Sequence, residues 1–388
     1  MSLSKYLQSQ MEQEWINPLD ETYEEVNKLI LLGNGFDLAH NMDTSFNSFI
    51  SNELDKLIHT ITEFLIHPQG DPIFQNEYCS FMHDTEEIYW GKMLRRKTHP
   101  SQILFNKFTS CKSFQWNNSL YKAIFESRLK KKWVDIEILY FDQLLESQKS
   151  NSSENAEQLN KSFDLIRSRL MEYLKGIDTP VNPSPKILEQ FQEMISWKHC
   201  MPDTLQEESF RSAKNLYFLN FNYTSSAELY MAELGHETSS INYIHGSLAH
   251  AETNSQPPIF GFGDELDRDY KKFEDSRENI LFEHIKSFKY LESDNYRKLM
   301  DFIESIPFQI CIFGHSCGVS DRTLLNTLFE HENCISIKQY YHDKGNGQDD
   351  YTEKNYSIAR NFNDKKMLRD KVVNYKYCSP MAQPSGSE

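Results

Sequence analysis

The first strong strand signal in the chain is Lys28-Leu29-Ile30-Leu31-Leu32-Gly33-Asn34-Gly35-Phe36-Asp37, where a short apolar run stops at a glycine. A run of this length, preceded by polar sequence, predicts a strand buried in a parallel sheet. Residues 44–66 then repeat apolar side chains at three-and-four spacing, which predicts a helix. The chain therefore opens with a strand, a glycine loop and a helix.

Strand and helix patterns alternate again after residue 211. The predicted strands are 216–220, 241–244, 258–261, 309–313 and 334–337, and the predicted helices are 225–234, 278–305 and 321–330. Such alternation implies a parallel sheet with right-handed crossovers. We therefore predict a Rossmann-like α/β domain formed by residues 1–66 and 211–342.

The remaining residues form two further parts. Residues 67–210 have mainly helical patterns, at 120–145, 153–174 and 185–197, which predict a large helical insertion or cap. Residues 343–388 are predicted to be a C-terminal extension, and the last ten or so have the composition of a disordered end.

Composition excludes several classes of protein. The formal net charge of −16 argues against non-specific adhesion to nucleic acid or to an anionic membrane. The 7 cysteines are scattered without a C-x-x-C pair, which argues against a disulfide framework or a zinc site. No apolar stretch approaches the roughly 18 residues that span a bilayer, and the polar start lacks a signal-peptide core. We predict a cytoplasmic protein.

Polar or glycine-rich loops follow four of the predicted strands. These loops contain, in order, Gly33-Asn34-Gly35-Phe36-Asp37, Asn220-Phe221-Asn222-Tyr223-Thr224, His245-Gly246-Ser247, and Gly314-His315-Ser316 with Asp321. Ligands of open α/β sheets bind at the carboxyl ends of the strands. Glycines permit close approach of a phosphate to main-chain amides. If the strands are parallel neighbours, the loops form one crevice.

Each of these residues also has a structural explanation. The first loop lacks the third glycine of G-x-G-x-x-G, because Leu38 stands in its place. Asp37 can cap a turn, His245 can be a hydrogen-bonded structural histidine, and Asp321 can be the N-cap of the helix that follows it. The convergence of the four loops is what favours a binding site.

Taken together, these motifs resemble the AbiH abortive-infection family. The resemblance lies in residues 31–40, 218–224, 244–246, 260–263 and 313–316 with 320–321, which occur in order over about residues 28–342. The motif at 31–40, Leu-Leu-Gly-Asn-Gly-Phe-Asp-Leu-Ala-His, is the most specific. The resemblance implies a role in defence against bacteriophage.

The AbiH family is in turn distantly similar to the sirtuin-like NAD-binding fold. That similarity implies that the Gly33 loop corresponds to the sirtuin glycine loop, Asn222 to its NAD-contacting asparagine and His245 to its catalytic histidine. It also implies that residues 314–321 meet the adenosine end of the nucleotide. The sequence departs from the sirtuin pattern in two ways. It has no zinc-binding cysteines, which argues against protein deacetylation, and Thr224 stands where an aspartate is usual.

The resemblance therefore implies an NAD-cleaving hydrolase, with NAD as substrate or ligand and no metal. The expected catalytic residues are Asn222 and His245. The expected nucleotide-binding residues are Gly33, Asn34, Gly35, Asp37, Asn220, Tyr223, Thr224, Gly314, His315, Ser316 and Asp321. Two alternatives stay open: a nucleotide-binding sensor without catalysis, and a nucleic-acid-directed effector. A homo-oligomer is compatible with the sequence, while a phage trigger or partner is not identified by it.

The predicted insertion offers two further candidates. Trp133-Val134-Asp135-Ile136-Glu137 resembles an acidic motif of the same family, so Glu137 is a candidate to project into the crevice, although a solvated helix face explains it equally well. The basic residues Arg95, Arg96, Lys130, Lys131 and Lys132 are candidates for nucleic-acid contact. Such runs are more often ordinary solvated surface.

Overall fold

The computed structural model describes residues 25–66, 73–82, 105–127 apart from 107, 111 and 113, 133–149, 153–178, 182–199, 210–235, 237–252 and 258–383. The chain divides into two compact units. The first unit contains the residues up to Met42, Asp178–Ile259 and those from Ser287 onward, and the second contains Asp43–Ile177 and Phe260–Lys286.

The described part of the chain contains short strands and longer helices. The strands are β1 Asn27–Leu32, β2 Ile73–Gln75, β3 Cys79–Met82, β4 Gln115–Trp116, β5 Ile195–Ser196, β6 Phe210–Arg211, β7 Leu216–Asn220, β8 Ser239–Tyr243, β9 Phe308–Phe313, β10 Cys334–Tyr340, β11 Asp343–Gly345 and β12 Gln348–Asp349. The α-helices are α1 Asn34–Ala39, α2 Phe46–Ile66, α3 Ser119–Ser127, α4 Trp133–Lys149, α5 Ser153–Ile177, α6 Pro185–Gln192, α7 Glu228–Leu234, α8 Leu248–Glu252, α9 Tyr270–Ser276, α10 Lys286–Lys289, α11 Asn295–Ser305, α12 Arg322–Phe329, α13 Tyr351–Arg360 and α14 Lys365–Lys371. Short 3₁₀ turns lie at Trp197–His199, Asn279–Phe282, Tyr290–Glu292, Val319–Asp321 and Tyr375–Tyr377.

The first unit is built on a five-stranded parallel sheet in the order β10-β9-β1-β7-β8. Every residue of the central strand β1 is buried, because apolar clusters cover both faces of the sheet. Leu29 and Leu31 pack in one cluster with Ile310. Ile30 and Leu32 pack in the other cluster. This two-sided burial is the reason for the continuous apolar run in the sequence.

The order of the strands confirms that the four polar loops meet at one edge. Strands β9, β1, β7 and β8 are adjacent and parallel, so their carboxyl ends point the same way. The prediction of an additional strand at 258–261 is wrong. That segment is irregular, and the Ile259 amide instead donates one hydrogen bond of 2.8 Å to the carbonyl of His245, outside any strand ladder.

Two lysines lie within the buried strands of the sheet. Lys28 on β1 is 1% exposed, and its Nζ donates to the carbonyl of Phe191 at 2.9 Å. Lys338 on β10 forms an ion pair of 2.7 Å with Glu193, which also accepts a hydrogen bond from the Tyr340 hydroxyl. The last turn of α6 and Glu193 directly after it therefore supply the partners that make burial of both charges tolerable.

The second unit contains helices α2 to α5 together with α9, and it also contains a three-stranded antiparallel sheet in the order β2-β3-β4. The expectation that residues 67–210 are mainly helical misses this sheet, because its strands are only two to four residues long. Aromatic stacking fills the interior, with Phe141 on Phe262 at 3.9 Å and Phe163 on Phe260 at 4.8 Å between ring centroids.

The boundaries of the two units differ from the expected domains. Helix α2 lies in the second unit, whereas the described residues of 178–210 and of 343–388 lie in the first. Residues 379–383, expected to be disordered, are packed: the Met381 amide donates to the Tyr341 carbonyl at 2.8 Å, and Met381 is buried. Residues 384–388 lie outside the described residues. Among the described helices, none has the length and apolar character needed to cross a membrane.

One further correction concerns the region before β9. The single helix predicted at 278–305 is instead a series of short pieces, comprising two 3₁₀ turns, α10 and α11. Tyr290 and the residues after it therefore lie on the short connection between α10 and α11. That connection contributes directly to the site described below.

We expect Gly35→Ala to destabilise the first unit. A Cβ on Gly35 would lie 2.8 Å from the Gly314 Cα and 2.9 Å from its carbonyl oxygen, and neither backbone atom can move freely. Overpacking of this kind costs about 1–3 kcal/mol, measurable as a lower free energy of unfolding in urea. The matched control is Gly176→Ala on α5, where an added Cβ meets nothing within 4 Å and a gain of up to about 1 kcal/mol is expected. A Gly35→Ala protein as stable as wild type would contradict the close packing.

Candidate functional site

The glycine loop after β1 packs directly against the loop after β9. The Gly35 amide donates to the Gly314 carbonyl at 2.9 Å, and the Gly33 amide donates to the Phe313 carbonyl at 3.1 Å. A Cβ on Gly33 would lie 2.4 Å from the His315 Cα. Gly314 itself has a φ of +69°, which favours glycine. These glycines allow two backbones to approach each other.

This packing corrects one expectation about the loop. Because the Gly33 and Gly35 amides donate to protein carbonyls, these two donors are not available to a pyrophosphate. Asn34, which begins α1, remains half-buried beside them.

Asp37 is the buried acceptor on which the loop after β7 depends. Its Oδ1 accepts from Ser226 Oγ at 2.5 Å and from Asn222 Nδ2 at 3.1 Å, and its Oδ2 accepts from Thr224 Oγ1 at 2.7 Å. Burial raises the pKa of the Asp37 carboxyl to about 6, although the hydrogen bonds from Ser226, Thr224 and Asn222 oppose the shift. Asp37 is 1% exposed, and its hydrogen bonds to Asn222, Thr224 and Ser226 hold the loop after β7 in place.

Asn222 is held through its side-chain nitrogen and through its main-chain amide. Its side-chain Nδ2 donates to Asp37 and, at 3.0 Å, to the Gly33 carbonyl, while its main-chain amide donates to Asn220 Oδ1 at 3.0 Å. With both Nδ2 hydrogens used, the group left for a ligand is the side-chain oxygen, which is a hydrogen-bond acceptor.

Two histidines and one carboxylate lie together at the same edge of the sheet. The His245 Nε2 lies 3.4 Å from Asp321 Oδ1, and the His315 Nε2 lies 3.8 Å from Asp321 Oδ2. Both distances exceed a normal hydrogen bond, and they place Asp321 within ion-pairing distance of either histidine when that histidine is protonated. Tyr290 completes the group, because its hydroxyl lies 3.2 Å from His245 Nε2.

The local bonding of His315 fixes its neutral tautomer. The Cys317 amide donates to His315 Nδ1 at 3.1 Å, so a neutral ring carries its proton on Nε2, the nitrogen that faces Asp321. The Phe221 ring packs against both imidazoles, with centroids 4.1 Å from His315 and 5.3 Å from His245. Both histidine side chains are therefore held in apolar surroundings that strengthen their contacts with Asp321.

The other predicted residues of the edge have identifiable roles. Tyr223 donates its hydroxyl to the Ile259 carbonyl at 2.6 Å and so anchors the irregular segment that follows α8. Asn220 is fully buried and shapes the turn after β7. Ser316 is exposed on the loop after β9. The structure therefore brings together Asn222, His245, His315 and Asp321, while Asp37, Asn220, Tyr223 and Thr224 support the loops.

The candidates in the predicted insertion lie in the second unit or outside the described residues. Glu137 is buried in the second unit, where Oε1 pairs with Lys286 Nζ at 2.9 Å and accepts from the Gly261 amide at 3.2 Å. These contacts explain its position within that unit. Arg95, Arg96, Lys130, Lys131 and Lys132 lie outside the described residues.

The sequence analysis did not identify two residues that contribute to the site, Ser226 and Tyr290. Ser226 makes the shortest hydrogen bond to Asp37, and its position two residues after Thr224 in the same loop was a usable signal. Tyr290 had no such signal, because its sequence was predicted to lie within a continuous helix.

The first unit thus has the form of an α/β protein with a histidine–aspartate group at the carboxyl edge of a parallel sheet. The chain belongs to the bacteriophage abortive infection AbiH family, whose model matches residues 29–343. The match spans both the glycine loop and Asp321. Comparison with curated proteins finds no significant match.

We expect Asp37→Asn to change how stability depends on pH. The folded pKa of about 6 exceeds the ordinary 3.8, so the native state binds the proton more tightly and loses this stabilisation as pH rises through 4 to 6. A pKa difference of about 2 corresponds to about 3 kcal/mol in the free energy of unfolding. Relative to wild type, the variant should therefore gain about that much stability between pH 4 and pH 7, measured by urea unfolding at each pH.

The control for this experiment is Asp301→Asn, at an exposed aspartate on α11 in the same unit. Its stability should run parallel to wild type across the range. An Asp37→Asn curve that also runs parallel to wild type would contradict the assignment of a buried, proton-binding carboxyl.

Proposed function

We propose that this protein is an antiphage effector that binds NAD at the carboxyl edge of the sheet and hydrolyses its nicotinamide–ribose bond. The defence role rests on membership of the abortive infection family. The chemistry rests on one observation: His245, a base that titrates near neutral pH in its ordinary state, lies 3.4 Å from the carboxylate of Asp321.

The reaction would proceed by attack of water on the anomeric carbon of the ribose. His245 takes a proton from this water, the new carbon–oxygen bond forms, and the carbon–nitrogen bond breaks with its electron pair leaving on nicotinamide. The products are nicotinamide and ADP-ribose, with the proton returned to solvent. The transition state resembles an oxocarbenium ion, as in other glycosidic cleavages, and a positioned base contributes typically 10²–10⁴-fold in rate.

Asp321 would hold His245 in position and stabilise the imidazolium that forms in this step. An aspartate beside a catalytic histidine acts in this way in other hydrolases. The Tyr290 hydroxyl, 3.2 Å from the same nitrogen, restricts the orientation of the ring.

The remaining groups would bind and orient the substrate. The Asn222 side-chain oxygen is suited to accept a hydrogen bond from a ribose hydroxyl or from the attacking water, because its amide nitrogen already donates to Asp37 and Gly33. The His315 Nε2 proton is suited to donate to the nucleotide. The pyrophosphate then depends on donors other than the Gly33 and Gly35 amides.

The test is nicotinamide release from NAD by the purified full chain, alone and with lysate of phage-infected cells. We expect His245→Ala to lower the rate at least 100-fold, and Asp321→Asn and Asn222→Ala to lower it by smaller factors. The matched control is His342→Ala, an exposed histidine of the same unit, which should keep the wild-type rate.

Three other outcomes of this test would contradict parts of the proposal. NAD binding by calorimetry without turnover, in protein shown to be folded by circular dichroism, would reject hydrolysis and indicate a nucleotide sensor. Turnover that survives His245→Ala would reject the assignment of the base. Neither binding nor turnover would leave a nucleic-acid-directed effector as the better hypothesis.

A further inference from the structure

We propose that the second unit binds a divalent transition-metal ion between Asp164, Glu283 and His284, at a site independent of the proposed hydrolase centre. One donor atom from each of the three side chains lies within 4.8 Å of the other two. His284 Nε2 and Asp164 Oδ1 are 3.6 Å apart. One imidazole and two carboxylates are a common ligand set for such ions.

His284 is the fixed member of this group. Its side chain is 3% exposed, and its ring packs edge-on against Tyr140 at 5.7 Å and at a tilt against Phe163 at 5.1 Å. Its backbone carbonyl accepts from the Phe262 amide at 3.1 Å, and Gly261 approaches the same carbonyl so closely that an added Cβ would lie 2.0 Å from it. The imidazole is thus held in place before any ion arrives.

A series of hydrogen bonds orients the Glu283 carboxylate. Asn160 Nδ2 donates to Glu283 Oε2 at 2.6 Å and to the Ile280 carbonyl at 2.9 Å, and Asn160 Oδ1 accepts from the Tyr140 hydroxyl at 2.7 Å. Asn160 is itself 2% exposed. Partners of this kind, which orient a ligating carboxylate without touching the metal, contribute to metal affinity in known sites.

The distances suit an ion bound by nitrogen and oxygen. Metal–ligand bonds of about 2.0–2.2 Å place ligand atoms up to about 4.4 Å apart, so a small movement of a carboxylate closes the site. Glu283 is exposed and the Asp164 side chain is 39% exposed, so both can make that movement. The imidazole ligand favours Zn²⁺ or Co²⁺ over Mg²⁺, which prefers oxygen ligands.

Arg167 is the competing cation. Its Nη2 lies 2.7 Å from Asp164 Oδ1, the same oxygen that faces His284. A metal ion at this oxygen would therefore share the carboxylate with the guanidinium or displace it. Because like charges repel, removing Arg167 should strengthen metal binding, whereas a purely structural role for the three ligands gives no reason for such an effect.

The experiment is titration of the chelator-treated full chain with Zn²⁺ by calorimetry, with Mg²⁺ as the comparison ion. We expect Zn²⁺ binding and a raised melting temperature, an affinity 10–100-fold lower in Asp164→Asn and in Glu283→Gln, and a several-fold higher affinity in Arg167→Gln. The control Glu274→Gln, an exposed glutamate of the same unit, should match wild type. Co²⁺ added to wild type should give a visible absorption band that weakens in Asp164→Asn.

The proposal fails if wild type, Asp164→Asn and Glu283→Gln bind Zn²⁺ with equal affinity, because the ion would then lie at other histidines or cysteines. It also fails if wild type gives no Zn²⁺ binding or if Arg167→Gln weakens it. Nicotinamide release is not part of this test, so its outcome and that of the proposed hydrolase remain separate.

Discussion

The candidate site depends first on the buried carboxylate of Asp37. Three side chains of the loop after β7 donate to it, and Asn222 also donates to the Gly33 carbonyl. One helix residue therefore ties the loop after β7 to the loop after β1. Burial raises the pKa of the Asp37 carboxyl and so opposes its charged form, whereas the hydrogen bonds from Ser226, Thr224 and Asn222 offset part of that cost.

The second constraint is the close approach of two glycine loops. Glycines after the first strand of an α/β sheet usually suggest a phosphate, because both a phosphate and a backbone need the space that a side chain would fill. Here Gly33 and Gly35 face the backbone of Gly314 and His315. The same contact brings His315 toward the sheet and so toward Asp321. The glycines thus assemble the site by positioning its second histidine.

Much of the fold could be predicted because burial on both faces leaves a continuous apolar run. Strands β1, β7 and β9 were located to within about one residue, and β10 was found but extends further than predicted, to Tyr340. Where the prediction of strands from the sequence failed, the reasons are physical. The segment 258–261 is apolar but is held by single hydrogen bonds instead of a ladder. The strands β2 to β4 are too short for a period to show, and the buried lysines of β1 and β10 have partners far away in sequence.

The sequence pointed to residues of the candidate site but not to the geometry that relates them. His245, Asp321 and Asn222 follow strands whose order is now known, and their proximity follows from that order. The sequence could not reveal that two imidazoles face one carboxylate. A single carboxylate can balance only one imidazolium, so protonation of one histidine disfavours protonation of the other. Because the Cys317 amide already donates to Nδ1 of His315, the proposed hydrolysis assigns the proton taken from water to His245 and leaves His315 as a hydrogen-bond donor.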